Sequence, residues 1–296
     1  MKGKSSACSH RQNDLPHRVT ANRGISLTPT RVRGFQSAIY RHYRIHGRTF
    51  PWRKTHNPYH ILVSEIMLQQ TQTERVVQKY EQFINSLPNF DSLAQAPLRE
   101  VLRLWQGLGY NRRAMALKNI AQMVVTNFQG NLPSSPEALM SLPGIGRATA
   151  CAICAFAFNE PVVFIETNIR RAFIHHFFQK ENDVKDIEIL LLVKETLDTS
   201  NPRKWYFALM DYGVMLKKQY QNPNRKSAHY QKQPPFEGSN RQIRGMILRT
   251  LTAESPISQQ EIAKRLGMDP ERVKGNLIQL QREGFIRKRG NRFTIA

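Results

Sequence analysis

The sequence predicts an all-α protein of two modules, and three observations carry that expectation. Apolar residues recur at three- and four-residue spacing through most of the 296 residues, alternating stretches are few, and Gly or Pro stands where helical runs end. Forty per cent apolar and nine per cent aromatic residues are enough for packed interiors, and the length suits two cores better than one. No run approaches the roughly 20 apolar residues that cross a bilayer. The opening MKGKSSACSHRQNDLPHRV is basic with no apolar segment behind it, so a bacterial cytoplasm is expected, with a nucleus as the other option. Three cysteines make neither a disulfide framework nor a four-thiolate cluster. Charge is the loudest signal: 44 Lys and Arg against 22 Asp and Glu give +22, spread along the chain. Such a surface attracts polyanions, because neutralising phosphates releases condensed counterions. Anionic lipid, or solubility alone, is the weaker explanation.

Residues 1–30 are polar, basic and without period, as in a flexible arm. The first module, 31–216, is helical. VSEIMLQQTQTERVVQKYEQFI has the spacing of one amphipathic helix, and DSLAQAPLREVLRLWQGLGY begins with Asp91 as a cap and stops at Gly107 and Gly109. Arg113 to Phe128 and Ser135 to Met140 read as further helices, as do two stretches between 181 and 218. The segment 217–239 is polar, Pro-rich and free of cysteine, which suggests a linker or a wrapping strap. In 240–296, three short helices precede FIRKRGNRFTI, a hairpin turning at Arg289-Gly290-Asn291. That order is winged-helix-like.

Ser141-Leu142-Pro143-Gly144-Ile145-Gly146-Arg147-Ala148-Thr149 joins two helices. Its glycines allow a tight turn and a close approach by phosphate, and the next helix offers N–H groups and a favourable dipole. Leu142, Gly144, Gly146, Arg147 and Thr149 are the expected backbone-gripping positions. Such contacts position a protein on nucleic acid without reading its sequence.

With this hairpin in place, the chain resembles the helix-hairpin-helix DNA glycosylases, and within them the adenine-mismatch (MutY-type) enzymes. The matching pieces occur in the family's order: FPWR at 50–53, SEIMLQQTQ at 64–72, LWQGLGY at 104–110, LPGIGRATA at 142–150 and ALMDYG at 208–213. The likeness covers 31 to 220 and implies a two-lobed glycosylase fold. It implies double-stranded DNA with a mispaired or damaged base as the partner, bound by a monomer.

Breaking a base–sugar bond creates a cationic sugar and an anionic base, so two carboxyls can divide the work. By resemblance, Glu65 protonates the departing base, and its apolar neighbours Ile66, Met67 and Leu68 favour the acid form. The partner carboxylate falls at Glu166, where the family has aspartate, with Asn168 two residues on. The longer side chain reaches roughly 1.5 Å further, so Glu166 is either a working carboxylate or a relic. Trp52, Arg53, Leu68 and Asp211 match the walls of the family's base pocket, although Trp52 suits a core equally well. Gln70 and Tyr110 match residues that enter the space a flipped base vacates.

Where strand-cutting relatives carry a lysine, this chain has Ala148, which cannot form a Schiff base. A monofunctional glycosylase is therefore expected. Many relatives bind a [4Fe–4S] cluster through four cysteines after the ALMDYG segment; here 217–236 has none, so no iron–sulfur cluster and no metal is expected. Cys151 and Cys154 read as core residues, and His175-His176 as structural or DNA-facing. No counterpart exists for the domain with which typical adenine-mismatch enzymes inspect 8-oxoguanine. In the winged-helix-like module, Arg272, Lys274, Arg287, Lys288, Arg289 and Arg292 are the expected DNA contacts, with a protein partner as the alternative. Adenine opposite guanine or 8-oxoguanine is the expected target. Uracil, thymine or hypoxanthine remain open, as does a regulatory DNA binder without chemistry.

Overall fold

The computed structural model describes residues 26–232 and 234–296. The arm expected over 1–30 lies mostly outside the described residues, as does Cys8, and helix α1 (Pro29–His46) already begins within that span. Thr28 caps it by accepting the Arg31 N–H.

The first lobe is a contiguous run: α2 (Pro58–Leu68), α3 (Thr73–Ser86), α4 (Phe90–Gln95), α5 (Leu98–Trp105), α6 (Arg112–Asn127) and α7 (Pro136–Met140). The second lobe gathers α1 with α9 (Thr167–Phe177), α10 (Asp186–Thr196) and α11 (Pro202–Gln219). Between them runs α8 (Arg147–Phe158), which packs on α2, α7 and α11 and is buried along most of its length.

Two single helices expected from the sequence are each broken in two. The run from Val63 to Ile84 is interrupted at residues 69–72, where Gln70 has φ of +55°. The run after Asn89 is split at Pro97, which lacks an N–H and holds Ala96 extended at ψ 135°. Asn89, not Asp91, is the cap there, in a reciprocal pair with Ser92.

Part of the segment 217–239, expected as a linker or a wrapping strap, forms a strap. After α11 ends at Gln219, residues 222–228 cross the second lobe through Arg171 Nε to Asn222 Oδ1 (3.1 Å) and Asn224 Nδ2 to Thr167 O (2.9 Å). The Val184 N–H donates to Lys226 O (2.9 Å) there, and the Ala228 N–H donates to Val184 O (3.0 Å).

The C-terminal module contains α12 (Asn240–Ala253), β1 (Ile257–Ser258), α13 (Gln259–Leu266), α14 (Pro270–Arg282), β2 (Ile286–Arg289) and β3 (Arg292–Ile295). The sheet has three antiparallel strands in the order β1-β3-β2, one more than the expected hairpin. The module is bolted to the first lobe. Glu283 accepts from Arg112 (3.0 and 2.6 Å) and from Arg244, and these charges hold its carboxyl down to about 2. Arg99 donates to Thr252 O (3.1 Å) and to the Ser255 hydroxyl. Among the described residues, no helix is long and apolar enough to cross a membrane.

Candidate active site

A cavity of about 260 Å³ opens where the two lobes meet. Glu65 reaches it from α2, a helix whose Ile61, Leu62, Val63, Ile66 and Met67 are all almost fully buried. A charged carboxylate is poorly solvated in that setting. Burial, then the charge of Glu166, pushes Glu65 up to about 8, and Arg53 opposes this without reversing it.

Glu166 lines the same cavity as the N-cap of α9. Its Oε1 accepts the N–H groups of Asn168 (2.7 Å) and Ile169 (2.8 Å), and its Oε2 accepts the Asn168 amide (3.2 Å). Burial raises its pKa too, against the pull of those N–H groups and of Arg171 and Arg170.

The third member, Asn168, is fixed from behind. Arg171 Nη1 donates to Asn168 Oδ1 and to Gly213 O, each at 2.7 Å. A Cβ at Gly213 would stand 2.2 Å from Asn168 O, so only glycine lets α11 approach the start of α9 this closely. This explains the glycine that ends ALMDYG.

Arg53, Leu68 and Thr149 also face the cavity, as do Phe156 and Phe207. Trp52 touches it, yet is only 3% exposed and stacks on Phe50 with ring centres 5.0 Å apart, so its surface belongs mainly to the core. The expectation for Asp211 is corrected. It does not line the cavity but sits behind it at 3% exposure, bridged to Arg48 (2.7 Å) and Arg53 (2.8 and 2.9 Å). Burial alone would raise its pKa; the hydrogen bonds and charges of the two arginines outweigh this and hold it below the usual range. Both oxygens are engaged, so Asp211 sets the position of Arg53 instead of meeting a base edge.

Gln70 and Tyr110 stand together on the rim of a second, larger cleft, each with a left-handed backbone (φ +55° and +48°). What holds them is a residue the sequence reading passed over. Arg113 is 8% exposed and donates to five carbonyls: Ile66 (2.9 Å), Met67 (2.8 Å) and Gln69 (2.7 Å) before one, Leu108 (3.0 Å) and Gly109 (2.9 Å) before the other. Its guanidinium satisfies helix-end carbonyls of α2 that would otherwise be orphaned. The available signal is its register, because Arg113 falls on the face that buries Leu117, Ile120 and Val124.

In the hairpin, Gly144 has φ of +76° and Gly146 begins α8 with no side-chain cap and no acidic residue in the first turn. Arg147 is exposed, and Thr149 accepts from Gln69 Nε2 at 3.2 Å. Leu142 departs from expectation: its side chain is 2% exposed and its N–H bonds Leu139 O, so it braces the turn from inside.

Cys151 and Cys154 are buried on α8, and burial pushes the Cys154 thiol up to about 12 while it donates to Ser134 O. Among the described residues, no group of three His, Cys, Asp or Glu is placed to hold a metal. His176 faces Tyr212 at 2.9 Å inside the second lobe.

Of the six expected winged-helix contacts, two are already occupied. Arg272 donates to Gly238 O, and Lys274 pairs with Glu271 at 3.1 Å. Arg287, Lys288, Arg289 and Arg292 are exposed on β2 and β3, and among the described residues none has an ion-pair partner.

Residues 63–195 match the family model of the HhH-GPD superfamily of base excision DNA repair proteins, and 241–287 match a winged helix-turn-helix DNA-binding model. The chain is 39% identical over 187 residues to an adenine DNA glycosylase of Buchnera aphidicola subsp. Baizongia pistaciae, covering 62% of this chain and 52% of that one. It is 31% identical over 247 residues to an adenine DNA glycosylase of Mycobacterium tuberculosis, covering 74% of this chain and 79% of that one. A thermostable thymine-DNA glycosylase structure superposes with a TM-score of 0.59 at 26% identity, over 66% of this chain and 91% of that one. The chain spans about half the length of the Buchnera relatives it matches. Taken with the two-lobed fold and its uncapped hairpin helix, these likenesses make the chain a member of the HhH-GPD superfamily of base excision DNA repair proteins.

Proposed function

We propose that the chain is a monofunctional DNA glycosylase that takes a mispaired base, adenine foremost, into the 260 Å³ cavity and hydrolyses its N-glycosidic bond without an iron–sulfur cluster. One observation carries this reading: Glu65 and Glu166 line a single cavity, with the Glu65 proton retained up to about 8. As the C1′–N bond breaks, its electron pair leaves with the base, which takes the Glu65 proton. Glu166, steadied by two N–H groups and the Asn168 amide, supplies negative charge beside the cationic sugar. Water then adds to C1′ and returns a proton to Glu65. Ala148 lines the cavity and has no amine, so the product is an abasic site in an uncut strand. The likeness to adenine DNA glycosylases favours adenine, opposite guanine or 8-oxoguanine. The superposition on a thymine-DNA glycosylase supports a second reading, thymine or uracil in mispairs. The exposed wing supports DNA as the partner of the C-terminal module.

The test is single-turnover release from duplexes carrying A, T, U or hypoxanthine opposite G or 8-oxoguanine, developed with alkali. Adenine is expected to leave fastest, and Glu65→Gln to slow release about 10²- to 10⁴-fold. Faster release of T or U selects the second reading. Tight binding with no release from any duplex overturns both. Iron analysis of the purified protein tests the cofactor expectation, and borohydride trapping of a covalent DNA adduct would refute the monofunctional one.

A further inference from the structure

Helix α1 carries a charge pattern that base excision leaves unused. Between Asp14 and Glu65 the sequence has no carboxylate side chain, and α1 lies wholly inside that interval. On the helix, Arg33, Arg41 and Arg44 fall within an arc of about 80°, with Ser37 between them. All three arginines are exposed, and the buried Phe35 and Ile39 occupy the opposite side. From Arg33 to Arg44 the stripe runs about 16 Å, at about 1.5 Å per residue.

Little beside the stripe neutralises it. Arg33 makes one long bond to the Thr30 hydroxyl (3.5 Å), and among the described residues none of the three arginines forms an ion pair. Asp198 stands near, but it accepts from the Tyr40 hydroxyl (2.5 Å) and from the Ser200 (3.0 Å) and Asn201 (3.2 Å) N–H groups. Glu195 accepts the Leu27 N–H at 3.2 Å, and Asp211, near His42, is held by Arg48 and Arg53. Lys204 adds an exposed cation 5.8 Å from the Tyr40 ring centre.

Direction decides what the stripe can hold. On α11, Phe207 and Met210 line the 260 Å³ cavity. Trp205 instead meets Phe35 (5.8 Å) and Tyr40 (5.4 Å) of α1, and Tyr212 meets His42 (5.4 Å). Trp205 and Phe207, like Met210 and Tyr212, are two positions apart, about 200° of helical turn. The cavity and α1 therefore lie on opposite sides of α11, and the arginines project from the far side of α1. Two helices, each about 10 Å across, separate the stripe from the cavity. A convex row of guanidiniums suits a linear array of phosphates, met along the backbone without reading bases.

We propose that α1 is a second DNA-backbone contact, which holds a separate duplex while the cavity side of the molecule engages the first. A chain so built bridges two DNA segments and passes from one to the other without an interval free in solution. The inference needs only that the chain binds DNA, so it stands or falls apart from the glycosylase reading.

The test uses the full chain, short fluorescent duplexes in excess, and Arg33→Ser, Arg41→Ser and Arg44→Ser made together. Arg41→Glu alone carries the test if the triple variant does not fold. Sedimentation at low salt is expected to show two duplexes on one native chain and one duplex on the triple variant. Log affinity for the second duplex should fall against log salt with a slope of about 2.7, for three phosphates at about 0.9 each. Arg41→Glu should weaken that second event roughly tenfold and leave the first unchanged. In a kinetic arm, loss of a labelled duplex is expected to quicken in proportion to unlabelled competitor for the native chain, and to ignore it in the triple variant. A native chain that takes one duplex only overturns the proposal, as does a two-duplex complex that contains two chains. Variants that keep the second duplex also overturn it and move the second site to the wing. A first-duplex affinity that falls in step with the second makes α1 part of a single track, which overturns it as well.

Discussion

Arg113 and Arg289 carry the same guanidinium and meet opposite fates. Arg113 is buried, and its five hydrogen bonds all go to carbonyls of its own chain. Arg203 is treated likewise, donating to Arg53 O (3.1 Å) and Thr55 O (2.6 Å). Arg289, with Arg287, Lys288 and Arg292, stands on β2 and β3 of the three-stranded sheet with its charge facing water. The difference divides a net charge of +22 into two kinds of cation. The inner ones replace missing backbone partners and are part of the fold. The outer ones are available to phosphate. A basic sequence is therefore an overestimate of the surface it offers to DNA.

The largest effect that would break this division is at Arg113. Arg113→Met keeps most of the stem but leaves five carbonyls unmet, and urea unfolding is expected to show a loss of about 3–5 kcal/mol. A change below about 1 kcal/mol, the usual range for surface substitutions, would place Arg113 with the outer cations. Next comes Gly213→Ala, where the added methyl forces α11 away from Asn168. Overpacking of this kind costs about 1–3 kcal/mol, and base release is expected to slow more than DNA binding weakens, since Glu166 and Asn168 shift together. An unaltered release rate would detach Gly213 from the site.

The pH dependence sharpens the contrast between the dry cavity and the wet wing. In the proposed reaction Glu65 acts in its protonated form, which is present below about 8. Release is therefore expected to fall as pH rises through about 8, by about tenfold per unit once Glu65 is ionised, and Glu65→Gln should remove the fall. An upper limb that survives in Glu65→Gln belongs to another group. The smallest effect is on the wing. Each of Arg289→Ala and Arg292→Ala should lower the slope of log affinity against log salt by about 0.9, for one phosphate contact each. An unchanged slope assigns the wing to a protein partner.

The two-lobed fold and the cavity pair were legible through the family resemblance that SEIMLQQTQ and the residues around Glu166 carry. The break at residues 69–72 was not, because nothing in QQTQ forbids a helix. It opens because Arg113, more than forty residues later, takes the carbonyls that would have continued the ladder. Pro97 did announce its break, and the periodicity around it obscured the announcement. Asp211 looked like a wall because its type can meet a base; only the fold reveals that Arg48 and Arg53 use both its oxygens. Strand β1 is two residues long, and its pairing with Phe293 and Arg292 is a tertiary fact with no period to betray it.

The shared clasp on the loops before Gln70 and Tyr110 has a mechanical consequence. Because one guanidinium fastens both loops, the backbones that carry the amide and the phenol share a single handle. If the pair enters a base stack as expected, it does so as one stiff fork. Its spacing was set when the chain folded, before any duplex arrived.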